Sequence, residues 1–199
     1  MRTIVLLITL FTSLDLFAQH ETKKDNFNFT VTKVAGDLNK DNLIDKVVVL
    51  QDTMNDKAPY KLQIFFNQGN GSYKLISSST KIIEPAFPDG KAGFKDGHEF
   101  SGITINNGVV IINNELLRGH YEHKFRYQNG YFELIGFSHV SSGGIGVMYT
   151  TDFNLATGER IEKEERYDID KVLKNKKTKI IIRPLPRLDN FKPFESHLF

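Results

Sequence analysis

"TVTKVAGDLNKDNLIDKVVVL", residues 30–50, sets a carboxylate-rich segment between two runs of β-branched side chains. The longer stretch "FNFTVTKV" alternates apolar and polar residues, and "KVVVLQ" is dense in valine, so both flanks read as strands. The segment between them starts at Gly36 and carries side-chain oxygens at Asp37, Asn39, Asp41 and Asp45. Counted from Asp37, these are loop positions one, three, five and nine.

That spacing has a chemical meaning. A calcium ion takes about six to eight oxygen ligands, and a tight loop can aim alternate side chains inward while one backbone carbonyl faces the ion. Leu43, at position seven, is placed to offer that carbonyl. Asn42 stands at position six, where such loops favour glycine, and asparagine is among the residues that tolerate a left-handed backbone best. An EF-hand is excluded, because it requires Glu at position twelve and flanking helices, whereas Val48 and strands occupy those places. Leu38 and Ile44 are the apolar loop residues expected to turn away from the ion and pin the loop to the core. The plainer alternative is an Asx-turn loop without an ion. Three carboxylates so close together repel one another unless a cation or basic groups sit among them, which favours the ion. Calcium is preferred to magnesium because all-protein oxygen cages suit the larger ion.

Further along, "KLQIFF", "GVVIIN", "YEHKFRYQ" and "YFELIGF" repeat the strand signal, and Asn70-Gly71, Asn107-Gly108 and Asn129-Gly130 mark tight hairpins. The fold class expected is all-β, with antiparallel sheets built from hairpins. "ERIEKEERYDIDKVLK" lacks a clean helical stripe and reads as a strand with a polar connection, and "KTKIIIRP" as a later strand. Residues 84–99, with two prolines and three glycines, form the longest loop. "SSGGIG", residues 141–146, reads as a bulge or hairpin turn, since it lacks the Lys and the helix of a phosphate loop.

"GDLNKDNLIDKVVVL" followed by "YKLQIFFNQGNGSYKL" resembles one FG-GAP or VCBS-type repeat, over roughly Val31 to Leu75. The resemblance implies one propeller-blade-like unit, about 27–83, with calcium ligated by the side chains of Asp37, Asn39, Asp41 and Asp45 and by the carbonyl of Leu43. The family's propellers stack several blades, but no second copy of the loop is present, and repeat folds need repetition to bury their faces. A full propeller is therefore not expected. The hairpin-rich back half, 100–183, is similar to secreted bacterial proteins that contain one such unit, a similarity that brings no activity with it.

The N-terminus gives an address. Arg2 and Thr3 precede "IVLLITLF", and a small residue, Ala18, precedes a plausible cut, the pattern of a secretory signal peptide over 1–18. Spanning a bilayer takes about 20 consecutive apolar residues, and Asp15 interrupts this run, so no membrane span is expected after cleavage. The remaining 19–199 read as a single all-β domain closed by a C-terminal strap, 184–199, whose Leu185, Leu188, Phe191 and Phe194 are expected on the core. The chain has 199 residues, a formal charge of +2 and no cysteine, which removes disulfides, thiolate metal sites and cysteine nucleophiles. From Lys171 onward, eight Lys or Arg face two acidic residues. Aromatic interleaving is thin there, and a solvated charged face is favoured over nucleic-acid binding.

Other constellations are weaker. His120 and His123 lie three apart on a strand and point to opposite faces, so a histidine metal site is disfavoured. His98 reads as a solvated loop residue. No G-x-S-x-G elbow of a serine hydrolase is present. Tyr121, Phe125, Tyr127, Tyr131, Phe132 and Phe137 could stack on sugars, although strand aromatics are usually core. The function expected is a secreted or periplasmic calcium-binding, non-catalytic interaction module, the calcium structural, with a glycan or a cell-envelope protein as partner. The alternatives are a carbohydrate-binding module, or a hydrolase of cell-wall or polysaccharide material using Asp96 and Glu99 as acid and base across about 5–9.5 Å.

Overall fold

The computed structural model describes residues 26–95, 97–144 and 146–195, so the expected leader over 1–18 and the last four residues of the strap lie outside the described residues. Among the described residues, eleven strands and one short 3-10 turn, Pro193–Glu195, make up the regular structure, and the fold is all-β. Strands β1 (Phe29–Gly36), β2 (Asp45–Gln51), β3 (Tyr60–Asn67) and β4 (Tyr73–Ser79) form an up-and-down antiparallel sheet in sequence order. Strands β5 (Glu99–Asn106), β6 (Val109–Leu116), β7 (Gly119–Gln128), β8 (Tyr131–Ser142), β9 (Val147–Asn154), β10 (Glu159–Arg166) and β11 (Lys171–Lys179) form a second antiparallel meander. Neither sheet closes into a barrel or propeller.

Alternation of apolar and polar residues puts every second side chain on one face, and the two apolar faces meet. Val47 and Val49 of β2 and Leu62, Ile64 and Phe66 of β3 are buried with Val110, Ile112, Phe125 and Leu134 of the larger sheet. The Phe66 ring lies 4.8 Å from Tyr127 and 6.1 Å from Phe132, centroid to centroid, which carries the contact directly across the sandwich. Burying each such side chain stabilises the fold by about 1.5–3 kcal/mol. At one edge β1 runs close to β5, where a Cβ on Gly36 would stand 2.9 Å from Ile105 Cγ2, so glycine permits the approach.

Two of the three expected tight turns have the matching backbone. Asn107-Gly108 and Asn129-Gly130 both take positive φ at both residues, as a two-residue type I′ turn demands. The Asn70-Gly71 turn differs: Gln68 N donates to Ser72 O at 3.0 Å, and the wider loop takes positive φ at Gly69 and Gly71 instead. "SSGGIG" is the β8–β9 hairpin turn, closed by Gly143 N donating to Val147 O at 2.8 Å, with Ile145 outside the described residues.

The end of the chain corrects the strand expected at "KTKIIIRP". The edge strand β11 begins earlier, at Lys171, and stops at Lys179. Ile180 and Ile181 are exposed, while the Arg183 guanidinium donates to the carbonyls of Leu155 and Ala156 at 3.1 and 2.7 Å, drawing the chain back over the core. The strap then fills a gap in the large sheet. Strand β9 pairs with β8 only from Gly136 onward, and the strap takes the vacant edge: Leu188 N donates to Phe132 O at 2.9 Å and Leu134 N to Pro186 O at 2.8 Å. Leu185, Leu188 and Phe191 are buried as expected, but Phe194 is 40% exposed. The lysines of β11 are solvated along an open edge, the placement that discourages strand addition by a second chain.

Candidate functional site

The aspartate loop leaves β1 at Gly36 and enters β2 at Asp45. Asp37 accepts the N–H of Lys40 at 2.7 Å and that of Asn42 at 3.0 Å. Asn39 accepts from Asp41 N at 3.2 Å and donates its amide to Asp41 at 2.8 Å, and Asp41 accepts from Leu43 N at 2.8 Å. Each residue thus folds the backbone over its own side-chain oxygen, an Asx-turn chain. The tight curvature places Asn42 at φ 66°, in the conformation anticipated for it, and Lys40 at φ 66° as well, which its side chain does not advertise.

Asp45 sits at the base of the loop, fully buried. Its two oxygens accept from Leu38 N at 2.8 Å and Asn67 N at 3.0 Å. Leu38 is buried beneath the loop, as expected, whereas Ile44 is 54% exposed and pins nothing. Its carbonyl is used instead, accepting from Asn67 Nδ2 and from the Tyr73 hydroxyl, both at 3.3 Å. Lys46 Nζ lies 3.1 Å from the centroid of the Tyr73 ring. The "NQGNGSY" turn is therefore docked on the aspartate loop through Asn67 and Tyr73.

The donors present are three carboxylates, a carboxamide and backbone carbonyls, which suit a hard, oxygen-seeking cation. No Lys or Arg ion pair involves Asp37, Asp41 or Asp45 among the described residues. Asp37, Asn39 and Asp41 share the outer rim, and Asp45 faces inward at the base. Among the described residues, no group of three or more His, Cys, Asp or Glu side chains is gathered closely enough to hold a metal ion.

A second site lies on the inner face of the large sheet. Strand register aligns two rows there: Ile112, His123, Phe137, Phe153 and Arg160, and beside them Asn114, Tyr121, His139, Thr151 and Glu162. Above them Pro193 and Phe194 of the strap and His98 of the long loop wall a groove of about 410 Å³. A smaller cavity of about 140 Å³ shares His98 and Tyr121 and adds Glu84, Lys95 and Glu99.

The groove is electrostatically quiet except at one end. His123 packs against Phe137 and Phe191, with ring centroids 5.2 and 6.0 Å away, and burial lowers its pKa to about 3. His139 is lowered as well, by burial and then by the neighbouring His120. Arg160 supplies the charge: its Nη2 lies 2.9 Å from Glu162, and its guanidinium carbon 5.9 Å from the Phe153 ring centroid.

His120 is exposed while His123 is buried, so the two diverge as anticipated. Asp96 lies outside the described residues, and Glu99 is ion-paired with Lys95. Of the aromatic set, Phe125 and Phe132 are core, while Tyr121 and Phe137 reach the groove. The groove itself was not foreseen, because His139, Thr151 and Arg160 come from three strands and meet only through register.

Fold and site together define a two-sheet, all-β protein with an Asx-rich loop at one point and an inner-face groove at another. No protein-family model matches the chain, and no curated protein or solved structure shows significant similarity to it. Among the described residues, no helix is long and apolar enough to cross a membrane.

Proposed function

We propose that the protein is a calcium-stabilised, non-catalytic binding module of the FG-GAP or VCBS type that works outside the cytoplasm. The observation that carries the proposal is the aspartate loop, in which three carboxylates lie within nine residues and no basic side chain neutralises them among the described residues. A carboxylate offers about four lone-pair sites, so accepting an N–H does not prevent an oxygen from also ligating an ion. Asp37, Asn39, Asp41, Asp45 and the Leu43 carbonyl would hold calcium, which would supply positive charge and rigidity there. Loop and turn are already bonded to each other through Asp45 and Asn67, so an ion in the loop would brace both hairpins of the small sheet. The leader-like start supports a secreted or periplasmic setting.

Isothermal titration with calcium and with magnesium tests the reading. One calcium per chain, weaker magnesium binding and loss of the calcium heat in Asp41→Ala uphold it. Equal heats for wild type and Asp41→Ala defeat it.

A further inference from the structure

We propose that the pocket walled by the β7–β8 turn and the start of the strap binds a small zwitterion, a molecule with one ammonium and one carboxylate on a short apolar body. Glu133 receives the ammonium and Arg126 the carboxylate, and Arg183 adds positive charge to the same pocket. The site goes beyond the calcium reading and does not rest on it, since no residue of the Asp37–Asp45 loop lines this pocket.

Arg126 of β7 and Glu133 of β8 are register partners, and alternation along each strand turns both away from the core side chains Phe125 and Leu134. Glu133 is nevertheless only 8% exposed. A carboxylate so enclosed calls for a counter-charge, yet among the described residues it has no ion pair. Its Oε2 accepts the amides of Gln128 at 2.6 Å and Asn129 at 3.3 Å, both neutral donors. Arg187 bridges to Glu133 through the backbone, but its guanidinium carbon lies over the Tyr131 ring, 3.4 Å from the centroid.

The Gln128 amide that holds Glu133 also holds Arg126. Arg126 Nε and Nη2 donate to Gln128 Oε1 at 3.0 and 2.9 Å, so one side chain fixes both charges without letting them pair. That contact uses two of the five guanidinium N–H groups. Arg183 is held by the carbonyls of Leu155, Ile182 and Ala156, none of which cancels its charge. Groups already fixed in place lose less freedom when they meet a ligand, and a planar guanidinium matches a carboxylate in shape.

These groups line one space of about 420 Å³, within the roughly 300–1,000 Å³ of small-molecule sites. Ala156, Pro184 and Leu185 give it an apolar part. A simple anion would leave Glu133 unanswered, and a simple amine would leave Arg126 and Arg183 unanswered. A molecule carrying both charges answers the acid and the guanidinium together.

Amide-detected NMR titration of the full chain with three ligands tests the proposal: leucine, 4-methylpentanoate, which lacks the ammonium, and 3-methylbutylamine, which lacks the carboxylate. Leucine should shift the side-chain amide signals of Gln128 and Asn129 saturably, and each single-charge analogue should bind about tenfold or more weakly, the worth of a charge-assisted contact. Glu133→Gln should bring leucine down to the affinity of 4-methylpentanoate, and Arg126→Gln to that of 3-methylbutylamine. No saturable shift with leucine, an analogue that binds as tightly as leucine, or leucine affinity unchanged in Glu133→Gln overturns the proposal. Should either variant fail to fold, the ranking of the three ligands on the wild-type chain decides. The titrations are run in EGTA, where saturable leucine binding is still expected, so that their outcome is separate from the fate of the calcium reading.

Discussion

Asp45 and Asn67 are bound together across the small sheet: the buried carboxylate of Asp45 accepts the Asn67 N–H at 3.0 Å, while its other oxygen holds Leu38 N at 2.8 Å. One side chain thereby ties the aspartate loop to the β3–β4 turn. Removing it leaves two backbone donors without their acceptor, that of Leu38 buried and that of Asn67 partly so. Asp45→Ala should cost about 2–4 kcal/mol in urea unfolding, and Asp45→Asn, which keeps one acceptor oxygen, less. A loss below about 0.5 kcal/mol for the alanine variant would mean that this carboxylate organises nothing.

His123 makes stability depend on pH. Its folded pKa, about 3, lies below the ordinary value near 6.5, so the unfolded chain takes up the proton first. The neutral imidazole is therefore free of penalty above about pH 6.5, and stability is lost as pH falls from there toward about 3, by roughly 1.4 kcal/mol per pH unit. Other groups titrate in the same range, so the informative quantity is the difference between proteins. His123→Phe, which suits neighbours Tyr121, Phe137 and Phe191, should lose less stability than wild type between pH 6.5 and pH 4. Parallel curves for the two proteins would contradict the assignment.

The strap is a structural part of the large sheet. Leu188 is fully buried and its N–H completes the Phe132 edge of β8. Leu188→Ala should cost about 2–4 kcal/mol and expose the β8 edge, which would appear as faster amide exchange at Leu134, whose N–H donates to Pro186 O. Unchanged exchange there would show that the strap is dispensable.

Sequence and structure agree where period and turn chemistry act locally. The valines of β2 and the alternation in β3 declare their buried faces, and Asn107-Gly108 and Asn129-Gly130 declare their turns. Asn42 could be placed in a left-handed conformation from its loop position alone. Ile44 could not be read the same way, because its outward direction follows from Asp45 turning inward next to it and from the docking of Asn67 and Tyr73 on its carbonyl. "KTKIIIRP" misled because three isoleucines suggest a strand, whereas Arg183 and the cover needed over β8 draw that segment out of the sheet. The groove was hidden for another reason: the row that joins His123 to Arg160 depends on the register of three strand pairings, which no single segment carries.

The junction between loop and large sheet gives a further test. Gly108 has φ 77°, and a Cβ on it would lie 3.3 Å from the carbonyl oxygen of Asp37. Gly108→Ala should therefore cost about 1–2 kcal/mol in backbone strain and press on the first residue of the loop. Calcium affinity should fall with it. Gly130→Ala, whose Cβ meets nothing within 4 Å, should show the strain without the effect on calcium.

Thermal unfolding of the wild-type chain in about 5 mM calcium against excess EGTA tests the central claim most directly. Calcium sites of extracellular modules bind at about 10⁻⁴ to 10⁻³ M; on the proposed reading, calcium at about 5 mM should add on the order of 1 kcal/mol and raise the melting temperature by about 2–4 °C. The shift should vanish in Asp41→Ala. A wild-type melting temperature unmoved by calcium, or an equal shift in Asp41→Ala, would contradict a calcium site in the Asp37–Asp45 loop.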